Sequence, residues 1–284
     1  PFGGMKQVNL GNGTRVSQLW STDGRISSRS LQKTVTAQYL SKLDYSYDAN
    51  GNFTAITDAV TAAKSRNLEY DPADRVARVM GGGPFAREDY TYDTNGNRLR
   101  VERRVSTGAA QPSEFEDYTI APGTNRLSRI DGTGVTRVFT HDARGNLIGE
   151  VRASGPQITV QYDAYGRLRS YSQVGSLTID MAYNGLGERV REVRVDANGT
   201  DTRHFVYDND GRLLGEYGAT LGDIKAEHIW LLPELADGGL FGGDDGQGGW
   251  APLAVATPTG TGGTQIAWVY GDHLGVPLLA TDAV

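Results

Sequence analysis

The sequence predicts an all-β chain of tandem β-hairpins forming one long curved sheet. Three observations carry that expectation. A short word, Tyr-Asp-x-x-Gly-(Arg/Asn)-apolar, recurs along the chain. The segments ahead of it, such as Leu177-Thr178-Ile179-Asp180-Met181-Ala182-Tyr183, alternate with the period of two that marks a half-buried strand. Glycine supplies 38 of 284 residues, roughly twice its ordinary ~7% share, as a chain dense in tight turns requires.

The copies follow one another in chain order. A degenerate first copy runs from Trp20 to Ile26, and a full one follows as Tyr47-Asp48-Ala49-Asn50-Gly51-Asn52-Phe53. Tyr70-Asp71-Pro72-Ala73-Asp74-Arg75-Val76 is degenerate, Tyr92-Asp93-Thr94-Asn95-Gly96-Asn97 is full, and Tyr118 to Leu127 is a looser copy with a longer turn. In His141-Asp142-Ala143-Arg144-Gly145-Asn146-Leu147 a histidine takes the Tyr place. Tyr162-Asp163-Ala164-Tyr165-Gly166-Arg167-Leu168 and Tyr207-Asp208-Asn209-Asp210-Gly211-Arg212-Leu213 are full, and Tyr183-Asn184-Gly185-Leu186-Gly187 between them is degenerate. The first residues are spaced 27, 23, 22, 26, 23, 21, 21 and 24 apart. Nine copies near one period mark a repeat array.

The word is turn chemistry. Asp starts a turn by bonding its own backbone, Gly supplies the positive φ that closes it, and the apolar residue opens the returning strand. In two copies the apolar residue comes one place late (Gly96-Asn97-Arg98-Leu99 and Gly187-Glu188-Arg189-Val190), which predicts a longer turn or a bulge. Arg outnumbers Lys by 23 to 5, and many Arg follow the turn. Stacked at a fixed period, guanidinium groups and Tyr rings are expected to form ladders, because one hairpin is marginal alone and neighbours must stabilise it.

Composition excludes several function classes. Without cysteine there are no disulfides, thiolate metal sites or thiol nucleophiles. A net charge of −6 argues against a phosphate-backbone binder, so no nucleic-acid partner is expected. The longest uncharged run, Gly246 to Gly271, is rich in Gly, Thr and Pro and does not read as a membrane span. The opening Pro1-Phe2-Gly3-Gly4 reads as the interior of a longer polypeptide.

The word is the YD repeat, and the chain resembles Rhs/YD-repeat proteins over nearly its whole length. The C-terminal Asp272-His273-Leu274-Gly275-Val276-Pro277 resembles the Asp-His-Leu-Gly-x-Pro signature of the Rhs-associated core. His228-Ile229-Trp230-Leu231 and Pro252-Leu253-Ala254-Val255 look like two halves of another core signature, parted by a Gly/Asp-rich insertion at 233–250. The resemblance implies a β-ribbon that spirals into a hollow shell, with a YD-repeat array at 1–220 and a core-like segment at 221–284. It also implies a C-terminal toxin domain of the same polypeptide as enclosed partner, the rest of the shell and secretion-apparatus proteins as further partners, and synthesis in the cytoplasm before secretion or delivery by a bacterial system such as type VI. The chain stops at Val284, before the self-cleavage motif of many Rhs cores and before any toxin sequence, and so is expected to be a shell fragment.

No catalytic, cofactor-binding or metal-ligating residue is expected. The Asp-x-Asn-Gly words at Asp48, Asp93 and Asp196 put Gly too early for an EF-hand and lack its closing Glu. The Gly242 to Gly249 stretch offers a single copy where calcium nonapeptides need several. His141, His204, His228 and His273 share no metal spacing. Asp272 and His273 are strand neighbours that would point to opposite faces, so a structural role is favoured over catalysis. No Gly-x-Ser-x-Gly elbow or phosphate-binding glycine loop occurs. The expected function is a non-enzymatic shell segment enclosing a toxin; the alternative is an extracellular adhesion or glycan-binding module. Rings buried between hairpins favour the first, and rings lining an open groove the second.

Overall fold

A computed structural model describes residues 6–220, 222–231, 251–272 and 276–282. The expected insertion at 233–250, and His273, Leu274 and Gly275 of the signature, lie outside the described residues. The chain is all-β: the described residues form 23 strands and one three-residue 3-10 turn, Ala62–Lys64. The array opens with β1 (Gln7–Asn9), β2 (Thr14–Trp20), β3 (Ile26–Lys33), β4 (Tyr39–Tyr47), β5 (Phe53–Asp58) and β6 (Arg66–Tyr70). It continues with β7 (Val76–Gly81), β8 (Arg87–Tyr92), β9 (Arg98–Arg104), β10 (Glu114–Ile120), β11 (Leu127–Gly132) and β12 (Val135–His141). Then come β13 (Leu147–Arg152), β14 (Ile158–Tyr162), β15 (Leu168–Gln173), β16 (Leu177–Tyr183), β17 (Arg189–Asp196) and β18 (Gly199–Tyr207). The last five are β19 (Leu213–Tyr217), β20 (Ile224–Leu231), β21 (Ala251–Pro258), β22 (Thr264–Gly271) and β23 (Pro277–Thr281). Pairing is antiparallel between sequence neighbours, as a hairpin array demands.

The chain forms two units. One gathers β1–β5 with β19–β23, and the other holds β7–β17 and nearly all of β18. This grouping crosses the 220/221 boundary of the sequence, which therefore remains a proposal about segment type.

In the first unit, strand alternation buries Thr14, Val16 and Gln18 of β2 on one face. Leu10, Val16, Leu31 and Tyr270 make a core, with Val8, Leu40, Leu253, Trp268 and Leu279 packed against it. Strands from opposite ends of the sequence thus share one apolar layer. Asn12 ties them further, donating from Nδ2 to Thr281 Oγ1 at 2.9 Å and to the Asp282 carbonyl at 3.1 Å.

The second unit buries little beyond Val101, Ile130, Ile158, Val160 and Phe205. One of its faces carries a charge network instead. Arg78 Nε meets Asp89 at 2.7 Å, Arg104 pairs with both Asp89 and Glu102, and Arg100 reaches Glu102 at 2.9 Å and Asp117 at 2.7 Å. An isolated exposed ion pair contributes ~0–1 kcal/mol, so the value of this face lies in its continuity.

Candidate functional site: the corner ladder

Each corner begins as the word dictates. The Asp48 N–H donates to the Asn52 carbonyl at 2.9 Å, and the Gly51 N–H returns to the Asp48 carbonyl at 3.2 Å. The same two bonds recur at Asp71, Asp93, Asp142, Asp163, Asn184 and Asp208, with Asp74 in the Gly place of the Asp71 corner. The Asp carboxylate is divided between two tasks. In Asp93, Oδ1 accepts from the Asn95 and Asn97 N–H groups and Oδ2 accepts from the Asn97 side chain at 2.8 Å. These bonds, led by the Asn97 side chain, hold the Asp93 carboxyl below its ordinary value. Gly51, Gly96, Gly145, Gly166, Gly187 and Gly211 take φ of +96°, +88°, +92°, +81°, +91° and +80°. This is a three-residue hairpin loop with a bulge, and the strand register shifts just before the first residue of the word.

Register corrects two expectations. Tyr92 pairs with Arg98 and Tyr183 with Arg189, the same spacing as Tyr47 with Phe53 and Tyr162 with Leu168. The two late-apolar copies therefore have turns of ordinary length, and the bulge expected as the alternative is present in both, as it is in the full copies at Tyr47 and Tyr162. Arg stands in the apolar place and covers an aromatic ring: Arg98 lies 4.4 Å from the Tyr118 ring centroid and Arg189 4.4 Å from that of Phe205. Tyr118 itself is not the first residue of a corner. Ile120 is, pairing with Leu127 across a turn one residue longer, closed from Ala121 N–H to the Arg126 carbonyl.

Consecutive corners grip one another. Tyr47 Oη donates to the Ile26 carbonyl, Tyr92 Oη to that of Val76 and Tyr183 Oη to that of Leu168, each at 2.7 Å. Trp230 does the same with its indole N–H to Leu213 at 2.8 Å. The Arg that follows the turn answers in the other direction. Arg25, Arg75 and Arg167 donate to the carbonyls of Asp48, Asp93 and Asn184 at 3.0, 2.8 and 3.3 Å. Their guanidinium groups lie 5.5, 4.7 and 4.8 Å from the Tyr47, Tyr92 and Tyr183 ring centroids. Arg126 stretches across Gly145, where an added Cβ would meet its Nε at 3.2 Å.

The residue after the turn alternates along the nine copies between Arg and a shorter side chain, Asn in three places and Glu in one: Arg25, Asn52, Arg75, Asn97, Arg126, Asn146, Arg167, Glu188, Arg212. Successive corners stand two strands apart, about 9–10 Å, which Arg spans and Asn does not. Asn52 and Asn146 bond back to Asp48 and Asp142 at 3.1 and 2.9 Å. Asn97 reaches onward only because the longer turn presents Asn125, at 3.0 Å. From the His141 corner it is Arg144 that crosses, donating to the Ala164 carbonyl at 3.1 Å.

The other expected positions take their places in the same frame. Tyr70, Tyr162 and Tyr207 end β6, β14 and β18, and His141 ends β12 opposite Leu147. Asp272 of the core signature bonds as the Asp of a corner does, with its N–H donating to the Val276 carbonyl at 2.8 Å and its carboxylate accepting from the Val276 N–H at 2.9 Å. Gly271 stands in the Tyr place and pairs with Pro277.

Two further corners carry no Tyr-Asp signal. In one, Leu10 N–H donates to the Thr14 carbonyl at 2.8 Å; in the other, Thr259 N–H donates to that of Gly263 at 2.8 Å. In the second, the Thr259 hydroxyl takes the role of the carboxylate, accepting from Gly263 N–H at 2.9 Å.

Arg29 also escaped sequence reasoning. It is fully buried in the first unit, donating to the Gly271 carbonyl at 2.9 Å and to Gln18 Oε1 at 2.5 Å, with the Tyr270 ring 5.3 Å away. Burial lowers its pKa, and pushes the Tyr270 and Tyr45 hydroxyls up. Only its position on β3, facing β22, explains a buried cation there.

Among the described residues no group of three or more His, Asp or Glu is placed to hold a metal ion. Among the same residues no helix is long and apolar enough to cross a membrane.

A family model described as Teneurin YD-shell matches residues 7–215. Toxin protein Tse5 of Pseudomonas aeruginosa is 28% identical over 261 residues, covering 84% of this chain and 18% of that protein. The crystal structure of TcdB2-TccC3-TEV is similar in fold, with a TM-score of 0.53 and 14% identity over 98% of this chain and 14% of that one. TcdB2-TccC3 without its hypervariable C-terminal region gives 0.50 and 15%, over 96% of this chain and 16% of that one. The chain thus spans less than a fifth of the length of each of these proteins.

Proposed function

Since the chain belongs to the Teneurin YD-shell family, we propose that it is a wall segment of an Rhs-type toxin and that the wall encloses and protects a C-terminal toxin domain of the same polypeptide. The segment then performs no chemical step of its own. It is made in the cytoplasm and leaves with its cargo through a secretion system such as type VI.

The observation that carries this reading is the reciprocal gripping of corners. The hydroxyls and ring faces of Tyr47, Tyr92 and Tyr183, which an adhesion module would offer to a sugar, are taken up by the neighbouring hairpin. A wall needs such edge-to-edge closure, because a hairpin array has no deep core to hold it.

The test is limited proteolysis of a longer polypeptide that carries the proposed toxin domain after this segment, compared with the same polypeptide lacking residues 1–284. Enclosure predicts slower digestion of the toxin domain when the segment is present. Equal digestion in both would overturn it and favour the adhesion module.

A further inference from the structure

We infer that Asn198 is a site of spontaneous covalent modification, at which the Gly199 backbone nitrogen attacks the Asn198 side-chain amide and the residue ends as aspartate or isoaspartate. The inference does not depend on the toxin-shell reading. The site lies in mid-chain, at the tip of the β17–β18 hairpin.

The chemistry needs an asparagine followed by a residue with no side chain to hinder the attack. The sequence offers Asn-Gly pairs at Asn12, Asn50, Asn95, Asn184 and Asn198. The fold restrains the first four. Asn12 is buried, with Nδ2 donating to Thr281 and Asp282 and Oδ1 accepting from Thr14. Asn184 Oδ1 accepts from the Leu186 and Glu188 N–H groups, and its Nδ2 donates to Glu188 at 2.6 Å. At Asn50 the attacking nitrogen, that of Gly51, donates to the Asp48 carbonyl, and the Arg25 guanidinium lies over the glycine. Asn95 donates from Nδ2 to Asn125 of the next turn, and the Gly96 N–H is committed to the Asp93 carbonyl at 3.2 Å.

Asn198 is exposed, and its ties stay within its own turn. Its backbone N–H donates to Asp196 Oδ1 at 2.8 Å, and its amide bonds only that same carboxylate. Nothing crowds Gly199, where φ is +110° and an added Cβ would meet nothing within 4 Å. A cavity of about 320 Å³, lined also by Asp196, Thr200 and Asp201, lies beside the turn and gives water a place to react.

The step balances without an oxidant or reductant. Hydroxide removes the Gly199 amide proton, the nitrogen bonds to Asn198 Cγ, and the Cγ–Nδ2 bond breaks. Nδ2 takes a proton from water and leaves as ammonia, and a five-membered imide remains. Water then opens the imide at Cγ to give aspartate, or at the α-carbonyl to give isoaspartate.

Either product strains the tip. Arg194 already meets Asp196 at 2.8 Å and Arg203 already meets Asp201 at 3.0 Å. Aspartate at this position therefore sets a further carboxylate beside Asp196 with no cation left to answer it. Isoaspartate adds a carbon to the backbone between Asp196 and Gly199, which the hairpin register pairs.

The test warms the folded chain at mildly alkaline pH and follows the peptide around each Asn-Gly pair by mass spectrometry. Isoaspartate is counted with a protein-isoaspartyl methyltransferase and a labelled methyl donor. Asn198 is expected to convert severalfold faster than the other four in the folded chain, and to lose that lead in guanidinium chloride, where the fold no longer restrains them. Amide exchange across β17 and β18 should quicken in the aged chain and in Asn198→Asp. Conversion no faster than at the other pairs would overturn the proposal. So would an equal lead in the unfolded chain, or exchange that neither ageing nor Asn198→Asp alters.

Discussion

Arg75 and Tyr92 hold two hairpins from opposite sides. Arg75 passes 4.7 Å from the Tyr92 ring centroid to donate to the Asp93 carbonyl, while Tyr92 donates back to the Val76 carbonyl beside Arg75. One corner supplies the cation and the next supplies the ring. Each also pairs a backbone carbonyl of the other corner. The pairing makes the repeat more than a turn signal, because the residues that close one corner also fasten the next.

Removing either partner should therefore cost more when the other is present. Tyr92→Phe is expected to destabilise by about 1 kcal/mol, the worth of one hydrogen bond. Arg75→Met should cost a similar amount, and the double variant about 1 kcal/mol less than the sum. Urea denaturation of the four proteins measures the coupling, and strict additivity would show that the two contacts act independently.

A second prediction separates backbone strain from packing. A Cβ added at Gly166 or Gly185 would meet nothing within 4 Å, but only Gly166 has positive φ, at +81°. Gly166→Ala should destabilise by about 1–2 kcal/mol, the cost of a left-handed L-residue. Gly185→Ala should be neutral or stabilising by up to about 1 kcal/mol. Equal melting shifts would contradict the turn assignment.

The alternation of Arg and Asn predicts where the array loosens. Arg167→Asn keeps the means to bond Asp163 within its own corner but gives up the Asn184 carbonyl and the Tyr183 ring. Amide exchange should quicken across β15 and β16. Asn146→Ala, which breaks only a bond to its own Asp142, should leave β14 and β15 unchanged.

Acid should weaken the second unit through Glu150. Hydrogen bonds from Arg137, then Arg152, hold this carboxyl near a pKa of about 2, from an ordinary 4.5. Because the folded value is depressed, the stabilisation is fully present above pH ~4.5 and is lost as pH falls toward 2. It amounts to about 2–3 kcal/mol, an upper figure given that Arg137 is 38% exposed. Glu150→Gln should flatten stability over that interval relative to the parent, and an unchanged profile would mean the pair contributes nothing.

The all-β array was legible because Asp-x-x-Gly encodes a local turn whose chemistry lies within one word. What the sequence hid was set by geometry between words. The corner at Thr259 uses a hydroxyl for a carboxylate and has no Tyr. At Tyr118 the aromatic signal drew attention away from Ile120, two residues on and on the same strand face. Leu99 and Val190 read as late apolar residues because Arg98 and Arg189, each with its guanidinium stacked on a ring, take the apolar place before them. The meaning of the Arg/Asn alternation depends on the spacing of strands, and Arg29 on the meeting of β3 with β22, neither of which is written in any one segment.

Loosening the wall tests the central claim most directly. The measurement is the protease half-life of the proposed C-terminal domain in a polypeptide carrying this segment, with its corners intact or with Tyr47, Tyr92 and Tyr183 changed to Phe. An enclosing wall predicts a half-life that shortens severalfold in the variant, while the C-terminal domain expressed alone is cut equally fast beside either segment. The same half-life with intact and loosened corners would contradict the account.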